Sequence, residues 1–275
     1  MAADRNARYC AGMILNSQKQ FQELRKLDFC YLCGQKFKVD EKPEPNRDHI
    51  PPKSLFAAVD RINMAFNLPT HPSCNNQRSN EDEVMGQLAG VLHGKHPEST
   101  ALKNKLSLFP VAKSPEPFIG LQLPLQPIIW RWIRGFHTAL YHEFIPGGIG
   151  GFILEPLPKG YMKDGRVIID PPPKDYELWV EFIKVNRSRD SLDTIFCWGG
   201  KCRYECGWTT LDDGRNICVF ALRIYNWEDL GDVRYPKRGC VGYYCPTTPV
   251  PQGAAMGTKI LLPIENQKPL DPFGG

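Results

Sequence analysis

Cys30 and Cys33 are separated by two residues, a spacing that lets both thiolates reach one ion from a tight knuckle. His71 and Cys74 repeat that spacing, with 37 residues between Cys33 and His71. Four soft or borderline ligands in two matched pairs suit a tetrahedral, structural Zn²⁺. Between the pairs stands Arg47-Asp48-His49-Ile50-Pro51-Pro52-Lys53, and Asn75 directly follows Cys74. A carboxylate, an amide oxygen and water form a hard oxygen site suited to Mg²⁺ or Mn²⁺. A neutral imidazole beside that site can take a proton from water. The chemistry this predicts is phosphodiester hydrolysis. His49 would act as general base, and Asp48 and Asn75 would hold a divalent ion that neutralises the phosphate and stabilises the leaving oxygen. Asn67 would orient His49 through a hydrogen bond. Arg47, Lys53 and Arg78 would contact flanking phosphates without reading sequence.

These residues need a frame. A knuckle at Cys30 leads into a short strand over 36–39, then a Pro-rich loop over 41–46. Residues 47–50 return as the second strand, which must stop at Pro51-Pro52 because proline donates no amide hydrogen to a ladder. Residues 53–66 read as irregular or as a short helix. A helix is predicted over 73–93, with Ser73 as cap, acids at 81–83, and an apolar stripe of Val84, Met85, Leu88, Val91 and Leu92. Strand, strand and helix around one metal is the expected architecture, preceded by a helix over 4–27.

Residues 28–85 resemble an HNH endonuclease of the ββα-metal type. The resemblance rests on the Cys30/Cys33 pair, Arg47 to Lys53, Asn67-Leu68, and Cys74-Asn75 with Arg78 beyond. It implies His49 as general base, Asp48 and Asn75 as divalent-metal ligands, and Asn67 as the central Asn of the motif. His71 stands where that family usually has a cysteine, and histidine is a competent zinc ligand. Such nucleases occur in restriction and anti-phage defence, the setting favoured by this analogy, with DNA as the favoured target. The alternative is a module that uses the zinc hairpin to bind nucleic acid without cutting it.

The remainder says less. The 275 residues are 42% hydrophobic and 23% charged, ordinary for a globular chain. The net charge of +4 is evenly spread, with 13 Lys/Arg against 11 Asp/Glu up to residue 96 and 21 against 19 after it. That excludes a protein that coats nucleic acid by bulk charge and requires a local patch or a metal ion. No apolar run is long enough for a membrane span and the N-terminus lacks a signal-peptide core, so a cytoplasmic protein is expected. Residues 1–96 are expected to form an HNH domain able to bind zinc and fold alone. A linker over 97–126 would join it to a mixed, β-rich domain over 127–275, giving an α+β protein.

In that second half an amphipathic helix is predicted over 127–144, with Arg131 and Arg134 at its polar edge. Interleaved with Trp130 and Trp132, these arginines could instead stack on single-stranded bases. Strands are expected over 152–157, 166–169, 194–198, 203–210 and 216–225, with Asp213-Gly214 as a hairpin turn. Residues 176–186 fit helix or strand. The segment after Gly239 is expected to be only partly ordered. Cys197, Cys202, Cys206, Cys218, Cys240 and Cys245 lack the two-residue spacing and read as buried thiols.

Overall fold

The computed structural model describes residues 11–40, 42–61, 64–76, 81–86, 106–109, 118–121, 125–155, 159–164, 166–170, 174–225, 239–257 and 268–269. In chain order the elements are β1 (Ile14–Leu15), α1 (Gln18–Glu23), β2 (Asn46–His49), β3 (Asn67–Thr70), α2 (Pro72–Asn76), β4 (Leu106–Phe109), β5 (Phe118–Leu121) and α3 (Leu125–Tyr141). They continue with β6 (Gly148–Glu155), β7 (Lys159–Lys163), β8 (Arg166–Asp170), α4 (Tyr176–Arg187), β9 (Asp193–Cys197), β10 (Cys202–Thr210), β11 (Asn216–Ile224), β12 (Gly239–Pro246) and β13 (Lys268–Pro269). The chain is a mixed α+β protein built on one large sheet.

That sheet has seven strands in the order β1-β9-β10-β11-β12-β6-β13. Its two faces follow from strand alternation. On β11, Ile217, Val219 and Ala221 pack toward Trp179, Phe182 and Ile183 of α4. The intervening Cys218, Phe220 and Leu222 pack with the α3 residues Trp130, Ile133 and Phe136. The sheet is therefore covered on both sides. All six cysteines expected to be buried thiols are buried on β9 to β12.

Several sequence expectations change here. Residues 4–10 lie outside the described residues. The remainder of the expected N-terminal helix splits, because Ile14 and Leu15 pair in parallel with Thr194 and Ile195 of β9. Helix α1 starts only after Ser17, which forms a reciprocal capping box with Gln20. The 36–39 segment supplies only an isolated bridge from Lys36 to Phe29, and Val39 is 93% exposed. Only Phe37 of this segment packs inward, against the core and the His71 ring, and the partner of β2 is β3 instead. Residues 72–76 and 81–86 of the expected 73–93 helix are helical, and 77–80 and 87–93 lie outside the described residues. Pro72 opens α2, where its missing N–H costs nothing.

Within the expected 97–126 linker, β4 and β5 pair antiparallel. Residues 176–187 are helix. Strand β12, placed in the expected loose tail, is internal to the sheet. Gly242 permits this, since a Cβ there would lie 2.3 Å from the Gly151 carbonyl oxygen on β6.

Helix α3 is the largest correction. It is not amphipathic with a solvated edge, because every residue from Ile128 to Leu140 is buried. The sheet covers one side and the β2–β3 hairpin covers the other. Phe136 shows this directly: its ring stacks on Tyr204 of β10 at 4.6 Å and on Phe66, just before β3, at 5.6 Å. Gly135 allows the hairpin to come this close, since a Cβ there would meet Ile50 Cδ1 at 2.4 Å. Arg134 donates to the Leu32 carbonyl at 2.8 Å and lies over the Phe144 ring. Arg131 pairs with Asp82. Neither arginine is available to stack on bases.

The core thus runs across the expected 1–96 boundary. One cluster contains Phe21, Tyr31, Ile50 and Phe66 together with Ile133, Phe136 and Trp198. A fragment of residues 1–96 leaves those apolar faces in water, at about 25 cal/mol per Å². It is expected to show no cooperative melt by circular dichroism even with zinc present, while the full chain melts cooperatively. A cooperative transition in the zinc-loaded fragment would show that the shared core is dispensable. No helix among the described residues is long and apolar enough to cross a membrane.

Candidate metal centre and hairpin site

The knuckle at Cys30 closes through the Gly34 amide, which donates to the Cys30 carbonyl at 2.7 Å. Gly34 has φ +74, a conformation that glycine adopts without strain. Strand β3 returns beside it and delivers His71, and the first turn of α2 delivers Cys74. The four ligand atoms of Cys30, Cys33, His71 and Cys74 lie within 4.8 Å of one another, and this group can hold a metal ion. Cys33 Sγ is 3.3 Å from His71 Nδ1.

Electrostatics favours a cation there. Burial raises the Cys30 thiol, but contacts from Thr70 and from the backbone N–H groups of His71, Cys33 and Leu32 outweigh it and leave it below its ordinary value. Burial, followed by the charges of Cys30 and Cys33, pushes Cys74 up to about 12. Burial raises Cys33 as well. Three thiols this close resist ionising together, and a divalent cation at their centre removes that conflict.

The β2–β3 hairpin pairs Asn46 with Thr70, Arg47 with Pro69, Asp48 with Leu68, and His49 with Asn67. The Ile50 amide donates to the Phe66 carbonyl at 3.1 Å, so Ile50 and Phe66 form a hydrogen-bonded pair. His49 and Asn67 therefore occupy the next, non-hydrogen-bonded pair, where facing side chains are closest. The same alternation puts Pro69 at a position that requires no ladder N–H. Asn67 is 5% exposed, and its buried Oδ1 has no hydrogen-bond partner. It stands opposite His49 on the paired strand, but the hydrogen bond to His49 expected from the sequence is not formed through Oδ1.

His49 is half-buried, and burial first, then Lys53, holds its imidazole below the ordinary histidine value. Arg25 acts in the same direction and Asp48 opposes it. The ring is therefore neutral at neutral pH, the form a general base requires.

Asp48 leaves β2 on the opposite face from His49, on the side of Asn46. Asn75 Nδ2 donates to Asn46 Oδ1 at 3.4 Å, so α2 and Asp48 share this face. Asp48 is buried and accepts a hydrogen bond from the Tyr31 hydroxyl. Close by, Arg131 reaches from α3 to Asp82. Burial raises Asp82 to about 7, with Arg131 pulling the other way. Arg131 Nε and Nη1 are buried without hydrogen-bond partners.

Of the residues expected to meet phosphates, Arg47 and Lys53 are exposed, and Arg78 lies outside the described residues. A groove beside the Cys/His cluster adds Lys36, Lys38 and Lys42.

Sequence reasoning missed Tyr31, Arg25 and Trp198, and misread Arg131 as a polar-edge or base-stacking residue. Tyr31 carried a signal, since a residue inside a two-residue knuckle has few places to point. Arg131 carried one too: an arginine in a run of Ile and Trp on a helix with no wet face needs a buried partner. Comparison with protein-family models found no match, and comparisons with curated proteins and with solved structures found none either.

Proposed function

We propose that the chain is a zinc-clamped, divalent-metal-dependent endonuclease of the HNH type, with DNA as the favoured substrate. The observation that carries this reading is the hairpin register. It sets His49 against Asn67 and turns Asp48 toward the α2 face that bears Asn75, beside the Cys30/Cys33/His71/Cys74 group. Zinc suits that group because tetrahedral thiolate and imidazole ligands sit about 3.3–3.8 Å apart around the ion, so a small inward movement completes the site. The zinc role is structural: all four positions are taken by protein, leaving none for substrate.

Asp48 and Asn75 offer the hard oxygens that Mg²⁺ or Mn²⁺ takes, and such an ion supplies charge neutralisation at the phosphate. His49 accepts the proton of the attacking water through a ring kept neutral by burial and by Lys53. Asn67 faces that ring and can hold its orientation. Because Asp48 and His49 leave opposite faces of β2, a phosphate engaging both lies across the end of the strand. Arg47 and Lys53 flank that end and attract backbone phosphates.

One observation favours a second reading. Asp48 is buried and already bonded to Tyr31, as expected for a carboxylate that serves the fold. A module that binds nucleic acid without cutting it needs nothing more from Asp48.

Incubation of supercoiled plasmid with the full chain separates the two. The nuclease reading expects nicked or linear product with Mg²⁺ or Mn²⁺ and none with EDTA, with zinc content measured to show that the clamp survives. Asp48→Ala should raise the Mg²⁺ concentration needed for half-maximal cutting by about tenfold or more. Retarded plasmid with no cleavage under any metal condition would establish the binding module.

A further inference from the structure

The β9–β10 turn projects a single aromatic side chain from the large sheet into the hairpin. Trp198 is 1% exposed, and its indole contacts two rings. Phe56 stacks on it at 5.1 Å with an interplanar angle of 18°, and His49 packs against it at 5.6 Å and 38°. Two polar contacts fix its place. Nε1 donates to the carbonyl of Ile50, the residue after His49, at 3.2 Å. Its backbone N–H donates to the Met64 carbonyl at 3.0 Å, on the segment leading to Asn67. Trp198 thus grips both ends of the 50–64 loop that separates the two facing residues.

The backbone adds a further point. Trp198 has φ +55, and Gly199 and Gly200 follow at +62 and +82. A left-handed conformation is strained for a bulky residue and easy for glycine. The turn would relax with glycine at 198, so the fold's use for this position lies in the indole.

We propose that Trp198 is a positioning residue for His49, by which the C-terminal sheet fixes the imidazole over the end of β2. This rests on the nuclease reading. The hydrogen bonds and ring contacts of Trp198 go to His49 and to Ile50, Phe56 and Met64 of the loop, so its direct effect falls on the base and its loop. Lys53 and Arg25 bring positive charge toward the same imidazole. The indole plane is therefore the apolar wall against which a cation-flanked ring is held. The C-terminal half, on this assignment, completes the reactive geometry.

The test uses the full chain with two substitutions that keep large apolar side chains at the position. Trp198→Met retains apolar bulk and loses the ring plane. Trp198→Phe retains an aromatic plane and loses the Nε1 donor and part of the ring area. Zinc content, melting temperature, kcat and KM for a DNA duplex are measured for each. Trp198→Met should lose about tenfold in kcat with KM and zinc nearly unchanged, and Trp198→Phe should recover to within about threefold of wild type. A Trp198→Met protein with wild-type kcat overturns the proposal, and so does an equal loss in both variants, which would signal general loosening. If Trp198→Met does not fold, Trp198→Phe decides: a kcat within about threefold sustains the assignment, and a loss of tenfold or more ends it. A wild-type chain that cuts nothing removes the nuclease reading itself, a separate outcome from an active enzyme indifferent to Trp198.

Discussion

His49→Ala will cleave DNA about 10²–10⁴-fold more slowly than the wild-type chain, the range lost when a positioned general base is removed. Zinc content and DNA binding will stay nearly unchanged, because the imidazole packs on Trp198, away from the Cys/His cluster. The wild-type pH profile follows from the sign of the His49 shift. Burial and Lys53 lower its pKa, so the ring remains neutral at pH values where an ordinary histidine of about 6.5 is half charged. Cleavage should persist below pH 6.5 and fall as pH drops through the depressed pKa, when protonation removes the lone pair that accepts the water proton. The measurement is initial rate against pH for both proteins at saturating Mg²⁺. A His49→Ala chain that cuts at the wild-type rate ends the case for this base, and a wild-type midpoint above 6.5 contradicts the lowered pKa.

Cys74→Ser will lose the zinc and release the knuckle, β3 and α2 from one another. Structural zinc supplies on the order of 10 kcal/mol to small zinc modules that fold around it. The hairpin here also packs on α3, through Phe66 and Ile50, so part of its structure has support that a free zinc module lacks. The expected result is local unfolding around residues 28–76, with the seven-stranded sheet retained. Amide hydrogen exchange should show fast exchange in the first region and protection in β10 and β11. Metal analysis should find about one zinc in the wild type and none in the variant. Full protection of residues 28–76 in a metal-free Cys74→Ser protein would show that packing alone holds the hairpin.

The cluster was legible because its signal is local. Two pairs at a fixed gap need only a knuckle and a helix start to meet, and both were written nearby in Gly34 and Pro72. The β9, β10 and β11 strands were legible from β-branched and aromatic runs and the Asp213-Gly214 turn. Strand β12 was missed because a strand buried on both faces has no polar alternation, and its glycines resembled a loop. Helix α3 was misread for the related reason that an arginine ion-paired in the core looks, in sequence, like one in water. The contact between Trp198 and His49 joins residues far apart along the chain, and no local pattern encodes it. The partner of β2 was misplaced at 36–39 because propensity was weighed without burial, and Leu68 has the buried face that Val39 lacks.

The parallel pairing of β1 with β9 bears on how the chain is made. Met13 donates its backbone N–H to Asp193 Oδ1 across 180 residues, at 2.7 Å. On the ribosome the β1 segment emerges first, and the strand edge that receives it emerges some 180 residues later. Trp198, which grips the loop after His49, arrives later still. Until then His49 is in the growing chain without the indole that packs against it. Contacts of such sequence separation slow folding and leave apolar surface exposed in the interval. A chain that ends before β9 therefore carries Asp48, His49 and Asn67 without the indole that packs against His49.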